Sequence, residues 1–172
     1  MIRRFPYVLA LVPPLLVPVS AHAAPRMQTS GANCSLTITL GLSPGLTLSS
    51  DAGVISSDGL RGTLSCVGLI NGAMVTGPGT FGVAGTYQGS CLQGTTSGVA
   101  PFEVPTTAGT ARGTATYTVV WTGTVGQVTA SGANYGFGPG PFAFVPAQRG
   151  GDCVGQPLSL ISWQGLQLVI QS

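Results

Sequence analysis

The sequence predicts an all-β fold: an antiparallel barrel of meander type or, as second choice, a β-sandwich, in either case with two disulfides. Three observations carry this expectation. Apolar and polar residues alternate with period two in many segments, and no segment repeats with helical period. Turn chemistry falls between the alternating runs. The chain holds 27 Gly in 172 residues, and each Gly disfavours helix by about 1 kcal/mol.

Residues 1–23 stand apart from that pattern. Arg3 and Arg4 form a positive start, Phe5 to Val19 is almost wholly apolar, and Ala21-His22-Ala23 matches the small-x-small cleavage pattern of a secretory signal peptide. The apolar run falls short of the roughly 20 residues that span a bilayer, and Pro13, Pro14 and Pro18 interrupt it. We therefore expect a signal peptide at 1–23, one all-β domain at 24–172, a secreted extracellular product and no membrane anchor after cleavage.

Along the domain, Cys34, Leu36, Ile38 and Leu40 share one strand face. Leu60, Leu64, Cys66 and Ile70 share another, followed by Asn71-Gly72, the strongest hairpin signal in the chain. Phe81, Val83 and Tyr87 line one face of Gly79 to Tyr87. Thr110 to Trp121 is the clearest strand: Ala111, Gly113, Ala115, Tyr117, Val119 and Trp121 face one way, opposite a Thr-rich face. Rows such as Thr114, Thr116, Thr118 and Thr37, Thr39 read as β-propensity on a wet surface. Leu166, Leu168 and Ile170 alternate near the end. Turns are expected at Ser43-Pro44-Gly45, Ser57-Asp58-Gly59, Gly77-Pro78-Gly79 and Gly138-Pro139-Gly140.

The four cysteines are Cys34, Cys66, Cys91 and Cys153. An even number in an exported chain reads as two disulfides. Their separations far exceed the two to four residues between paired zinc ligands. Three connectivities are open. Cys34 and Cys66 sit on core faces, whereas Cys91 and Cys153 sit in Gly-flanked stretches, and pairing like with like gives Cys34–Cys66 and Cys91–Cys153.

The leader, the four Cys, the Gly-Thr strands and the late Gly151-Asp152-Cys153 resemble small secreted Gly/Thr-rich, four-cysteine β proteins of high-GC actinobacteria. That resemblance implies export and bridging and carries no functional residues over. The neocarzinostatin-type apoproteins are an analogy only, because their bridges close short local loops.

Charged residues make up 6% of the chain, against roughly 25% in ordinary domains. No Lys is present, and beyond residue 23 Arg26, Arg61, Arg112 and Arg149 balance Asp51, Asp58, Glu103 and Asp152. Nucleic acid is therefore excluded as a partner, since it demands clustered cations. The one histidine, His22, lies in the leader. Imidazole-dependent hydrolysis, Schiff-base chemistry and His-based metal sites are excluded with it, and we expect no cofactor and no metal.

Paired carboxylates remain as a route to glycoside hydrolysis. Asp58 and Asp152 adjoin turn glycines, Asp51 lies in another loop, and Glu103 faces outward from an apolar strand. The expected function is a secreted, non-enzymatic β-module that binds a partner protein, a glycan or a small apolar ligand, or serves the cell surface. The alternatives are a secreted inhibitor or antimicrobial protein and, third, a carboxylate-dependent glycoside hydrolase.

The candidate contact surface is residues 135–149. Pro139, Pro141 and three Gly argue against a strand interior in its first half. Tyr135 and Phe137, with Arg149, are then candidate binding anchors on a loop. The competing arrangement folds this loop over the barrel end and buries the aromatics as a plug. Phe142 and Phe144 begin a strand and are expected in the core.

Overall fold

The computed structural model describes residues 31–57, 62–133, 135–146 and 151–171. Eleven strands occupy them: β1 Gly31–Leu46, β2 Asp51–Ser56, β3 Gly62–Ile70, β4 Ala73–Met74, β5 Gly79–Phe81, β6 Ala84–Gly89, β7 Gln93–Thr106, β8 Gly109–Thr122, β9 Val125–Gly132, β10 Gly136–Pro146 and β11 Leu158–Gln171. No helix occurs among the described residues. The strands form one antiparallel sheet, and that sheet closes on itself in a ring.

Strands β6 to β11 follow one another as a meander, and β11 returns to β1 along most of its length. The gap between β1 and β7 is bridged twice. At one end of the ring β2 joins β1 to β6, which pairs with the first half of β7. At the other end β3 joins β1 to β5, which pairs with β7 further along. The β5–β7 junction is the thinnest part of the wall, with two registered pairs, Thr80 with Glu103 and Phe81 with Phe102. Between the two bridges, Ser57 and Val83 tie the segments together: Ser57 N donates to Val83 O, and Val83 N donates to Ser57 Oγ.

The alternation in the sequence becomes an inside and an outside. Ile38, Leu40, Ile55, Val104, Val119, Ile161 and Ile170 are fully buried, and Phe81, Val83, Tyr87, Tyr117 and Trp121 join them. The Thr residues at even positions of β8 are exposed. The Asn71-Gly72 hairpin forms with positive φ at both residues, 51° and 74°, the geometry of a type I′ turn that Asn and Gly tolerate best.

One packing rule recurs inside the ring. Inward aromatics stand opposite glycines on the neighbouring strand: Phe81 opposite Gly62, Tyr87 opposite Gly53, Tyr117 opposite Gly98, Trp121 opposite Gly94, and Phe102 opposite Gly113. A side chain at Gly62, Gly53, Gly94 or Gly113 would collide with the facing ring. Large rings thus lie across bare backbone, which makes room for them inside the ring.

Both disulfides pair as expected, Cys34 with Cys66 and Cys91 with Cys153. The first joins directly opposed residues of β1 and β3. The second ties the β6–β7 connection to the β10–β11 connection, and Cys91 N also donates to Thr47 O in the β1–β2 connection, at 2.8 Å.

Three expectations need correction. Ser43-Pro44-Gly45 is no turn: it lies inside β1, where the pairing with β11 skips between Gly41 and Leu46. Gly138-Pro139-Gly140 is no turn. It lies inside β10, where the pairing with β9 skips between Phe137 and Gly140. A prolyl nitrogen needs no partner at such an irregularity, so Pro139 is tolerated there. For the same reason residues 136–141 are strand rather than loop. In the alternating run from Leu60, strand β3 is described from Gly62, and residues 58–61, including the expected turn at Asp58-Gly59, lie outside the described residues.

Substituting Gly62→Ala pushes a methyl into the Phe81 ring and should cost about 1–3 kcal/mol by overpacking. In a Phe81→Leu background that penalty should shrink. Urea titration of the four chains of this double-mutant cycle measures it, and an equal penalty in both backgrounds would rule out the ring contact as its cause. Removing the second bridge (Cys91→Ser with Cys153→Ser) should lower stability by about 4 kcal/mol, since it releases a loop of 62 residues' separation in the unfolded chain.

Candidate functional site

Among the described residues, an apolar cavity of about 70 Å³ lies inside the ring. Its walls include Val83 beside β6, Ala115, Tyr117 and Val119 from β8, and Trp163 from β11. Each is inward-facing by strand parity, and Tyr117 and Trp163 meet edge to face with centroids 5.9 Å apart. Apart from the Tyr117 hydroxyl and the Trp163 indole N–H, such a lining offers dispersion contacts alone, and apolar cavities stay dry.

A second hollow lies outside the wall, at the thin junction of β5 and β7. It is a cleft of about 720 Å³ bordered by Thr80, Pro101, Glu103, Arg112 and Thr114. Phe81 and Phe102 border both the cleft and the cavity. Arg112 Nε lies 3.4 Å from Glu103 Oε1, with the two side chains 70% and 49% exposed. A pair so wet contributes little to stability.

The other described carboxylates are occupied elsewhere. Asp51 Oδ2 accepts from Thr47 Oγ1 at 2.6 Å. Asp152 Oδ1 accepts from the backbone N–H groups of Val154, Gly155 and Gln156 at 3.0, 2.7 and 2.9 Å. These amides, Gln156 first, hold the Asp152 carboxyl below its ordinary range. The turn role expected for Asp152 is what the structure shows. No group of three or more potential metal ligands occurs among the described residues.

Two tyrosines titrate abnormally. Burial pushes the Tyr117 phenol up, partly offset by the Thr96 hydroxyl. Thr96 is itself buried and donates to Thr86 O at 2.8 Å. Tyr87 is raised by burial and, secondarily, by the negative charge of Asp51, and its hydroxyl donates to Pro44 O.

Of the sequence-predicted anchors, Tyr135 is buried rather than exposed. It packs edge-on against Phe102 with centroids 5.3 Å apart, and its hydroxyl accepts from Asn71 Nδ2 at 3.1 Å. The Tyr135 ring thus lies buried beside the β3–β4 turn, and the segment after it is strand β10 rather than a covering loop. Phe137 is in β10, paired with Ala130 and Ile170 through the backbone, while its side chain, with those of Phe142 and Phe144, and all of Arg149 lie outside the described residues. Of the three anchors, the side chain of Tyr135 alone is among those described. The residues that form the cavity–cleft pair, Phe81 and Phe102 with Glu103 and Arg112, were marked in the sequence by alternation alone, in Gly79 to Tyr87, around Glu103 and in Thr110 to Trp121. It assigns faces and leaves neighbours undetermined.

The pH dependence of stability follows from the two phenols. Their folded values lie above the ordinary value of about 10, so above that pH the unfolded chain loses protons that the folded chain retains, and stability falls. No described residue is a histidine. Thermal denaturation should give a melting temperature nearly constant from about pH 6 to 9 that declines above about pH 10. Tyr117→Phe should flatten the decline, and an unchanged alkaline slope would remove Tyr117 from the account. No protein-family model, curated protein or solved structure matches the chain.

Proposed function

We propose that this chain is an exported, non-enzymatic β-module that receives a small apolar group in its interior. The observation that carries the reading is the cavity of about 70 Å³ inside the strand ring, lined by apolar side chains. Such a space is occupied at little desolvation cost, because its walls are dry before the ligand arrives.

Two further features support the reading. The described carboxylates stand in separate settings, Asp51 on Thr47, Glu103 on Arg112 and Asp152 on its own turn, which favours binding over two-acid hydrolysis. The two disulfides suit an oxidising compartment outside the cell, in line with the leader at residues 1–23. On this reading the actinobacterial-type resemblance reflects a shared exported scaffold, and the occupant is a small apolar ligand rather than a protein or a glycan.

Xenon under pressure tests the proposal directly. It should shift the methyl resonances of Val83 and Val119 and raise the melting temperature. Ala115→Leu, which fills the cavity from β8, should abolish the shifts in a chain that still melts cooperatively. Unperturbed methyls in the wild-type chain, or shifts that persist in a folded Ala115→Leu chain, would refute interior binding.

A further inference from the structure

A cavity of about 70 Å³ is small beside the roughly 300–1,000 Å³ of ordinary small-molecule sites. A ligand of useful size cannot lie wholly inside, so most of it must sit elsewhere. The adjoining space is the cleft of about 720 Å³ across the β5–β7 junction. The two spaces share Phe81 and Phe102 as a common wall. Those rings face each other in register where the wall has two registered pairs, and each rests on a glycine of its other neighbour, Gly62 and Gly113. Phe81, lying on the bare backbone of Gly62, can tilt without displacing a side chain of β3, whereas Tyr135 backs the Phe102 ring edge-on.

We infer that the cavity and the cleft are one bipartite site for a short-chain amphiphile with an uncharged hydroxyl head, whose alkyl end passes between Phe81 and Phe102. This rests on the reading of the interior as an apolar receptor. The alkyl end meets Val83, Tyr117 and Val119 inside. The head stays in the cleft, beside the Glu103 carboxylate and the Arg112 guanidinium, 3.4 Å apart and both open to solvent.

The head group is argued from charge and donor count. The pair sums to zero, so an ionic head gains no net Coulombic reward and would have to break the pair. A hydroxyl both donates and accepts, so it can donate to Glu103 and accept from Arg112 while leaving their contact in place. The exposed Thr80 and Thr114 on the rim add hydroxyls of the same character.

The probe is 1-hexanol, titrated into the isotopically labelled full-length domain and followed by NMR. Intermolecular NOEs should connect the hexanol methyl to Val83 and Val119 and its C1 protons to Thr114 and Pro101. Arg112→Ala should weaken hexanol about two- to tenfold, the range of one net hydrogen bond, and hexanoate should bind more weakly than hexanol. Phe81→Leu, which shortens one side of the wall and keeps it apolar, should accelerate hexanol exchange without abolishing the NOEs. Hexanol NOEs confined to the surface, an Arg112→Ala chain with unchanged affinity, or tighter binding of hexanoate would each overturn the inference. Xenon separates the two levels: if it still shifts the interior methyls while hexanol fails, the bipartite site falls and interior binding stands. If both fail, the functional reading falls with it.

Discussion

The structure depends on matching five inward rings to bare stretches of neighbouring backbone. A closed antiparallel ring has a limited interior, and Phe81, Tyr87, Phe102, Tyr117 and Trp121 all point into it. Two bulky residues opposite each other at every level would overfill it. Gly62, Gly53, Gly113, Gly98 and Gly94 occupy the facing positions instead. Register, strand curvature and interior volume are thereby linked, because a slip of one residue would turn a ring outward and bring a side chain in. The high glycine content, which weakens each strand taken alone, is what permits the strands to close together.

This account also explains a pattern that looks like mere composition in the sequence. Gly-Thr recurs at Gly62-Thr63, Gly79-Thr80, Gly85-Thr86, Gly94-Thr95 and Gly113-Thr114, at irregular spacing. In each of these the Thr is exposed and the Gly is buried or half-buried. One residue of the dipeptide makes room inside. The other contributes β-propensity on the wet face.

Much of the fold was therefore legible locally. Alternation assigned the inward faces of β1, β3 and β8, and Asn71-Gly72 marked its hairpin. The setting of each cysteine pointed to its partner. What local pattern lacks is neighbourhood. That β1 meets β11 and β3, and that three residues of β5 seal the wall against β7, are long-range pairings that no window of sequence contains. The cavity and the cleft exist through those pairings, and Phe81 and Phe102, 21 positions apart by their numbering, meet across one of them. Tyr135 shows the converse failure. Its Gly- and Pro-rich surroundings suggested a loop on the surface, but a ring of that size buries too much area to stay out when an open end of the core lies beside it.

Ring closure has a further consequence for how copies of this chain coexist. Among the described residues, every strand except the two-residue β4 has a partner strand on both sides. A protein with 6% charged residues has little electrostatic repulsion to hold its copies apart. An open sheet of this composition would offer unpaired amides and carbonyls as a template for its neighbour. Here the backbone is spent within the molecule, and the outward surface of β8 presents threonine hydroxyls already content with water. Protection against edge-to-edge pairing thus rests on geometry instead of charge, and charge screening by added salt has little to act upon.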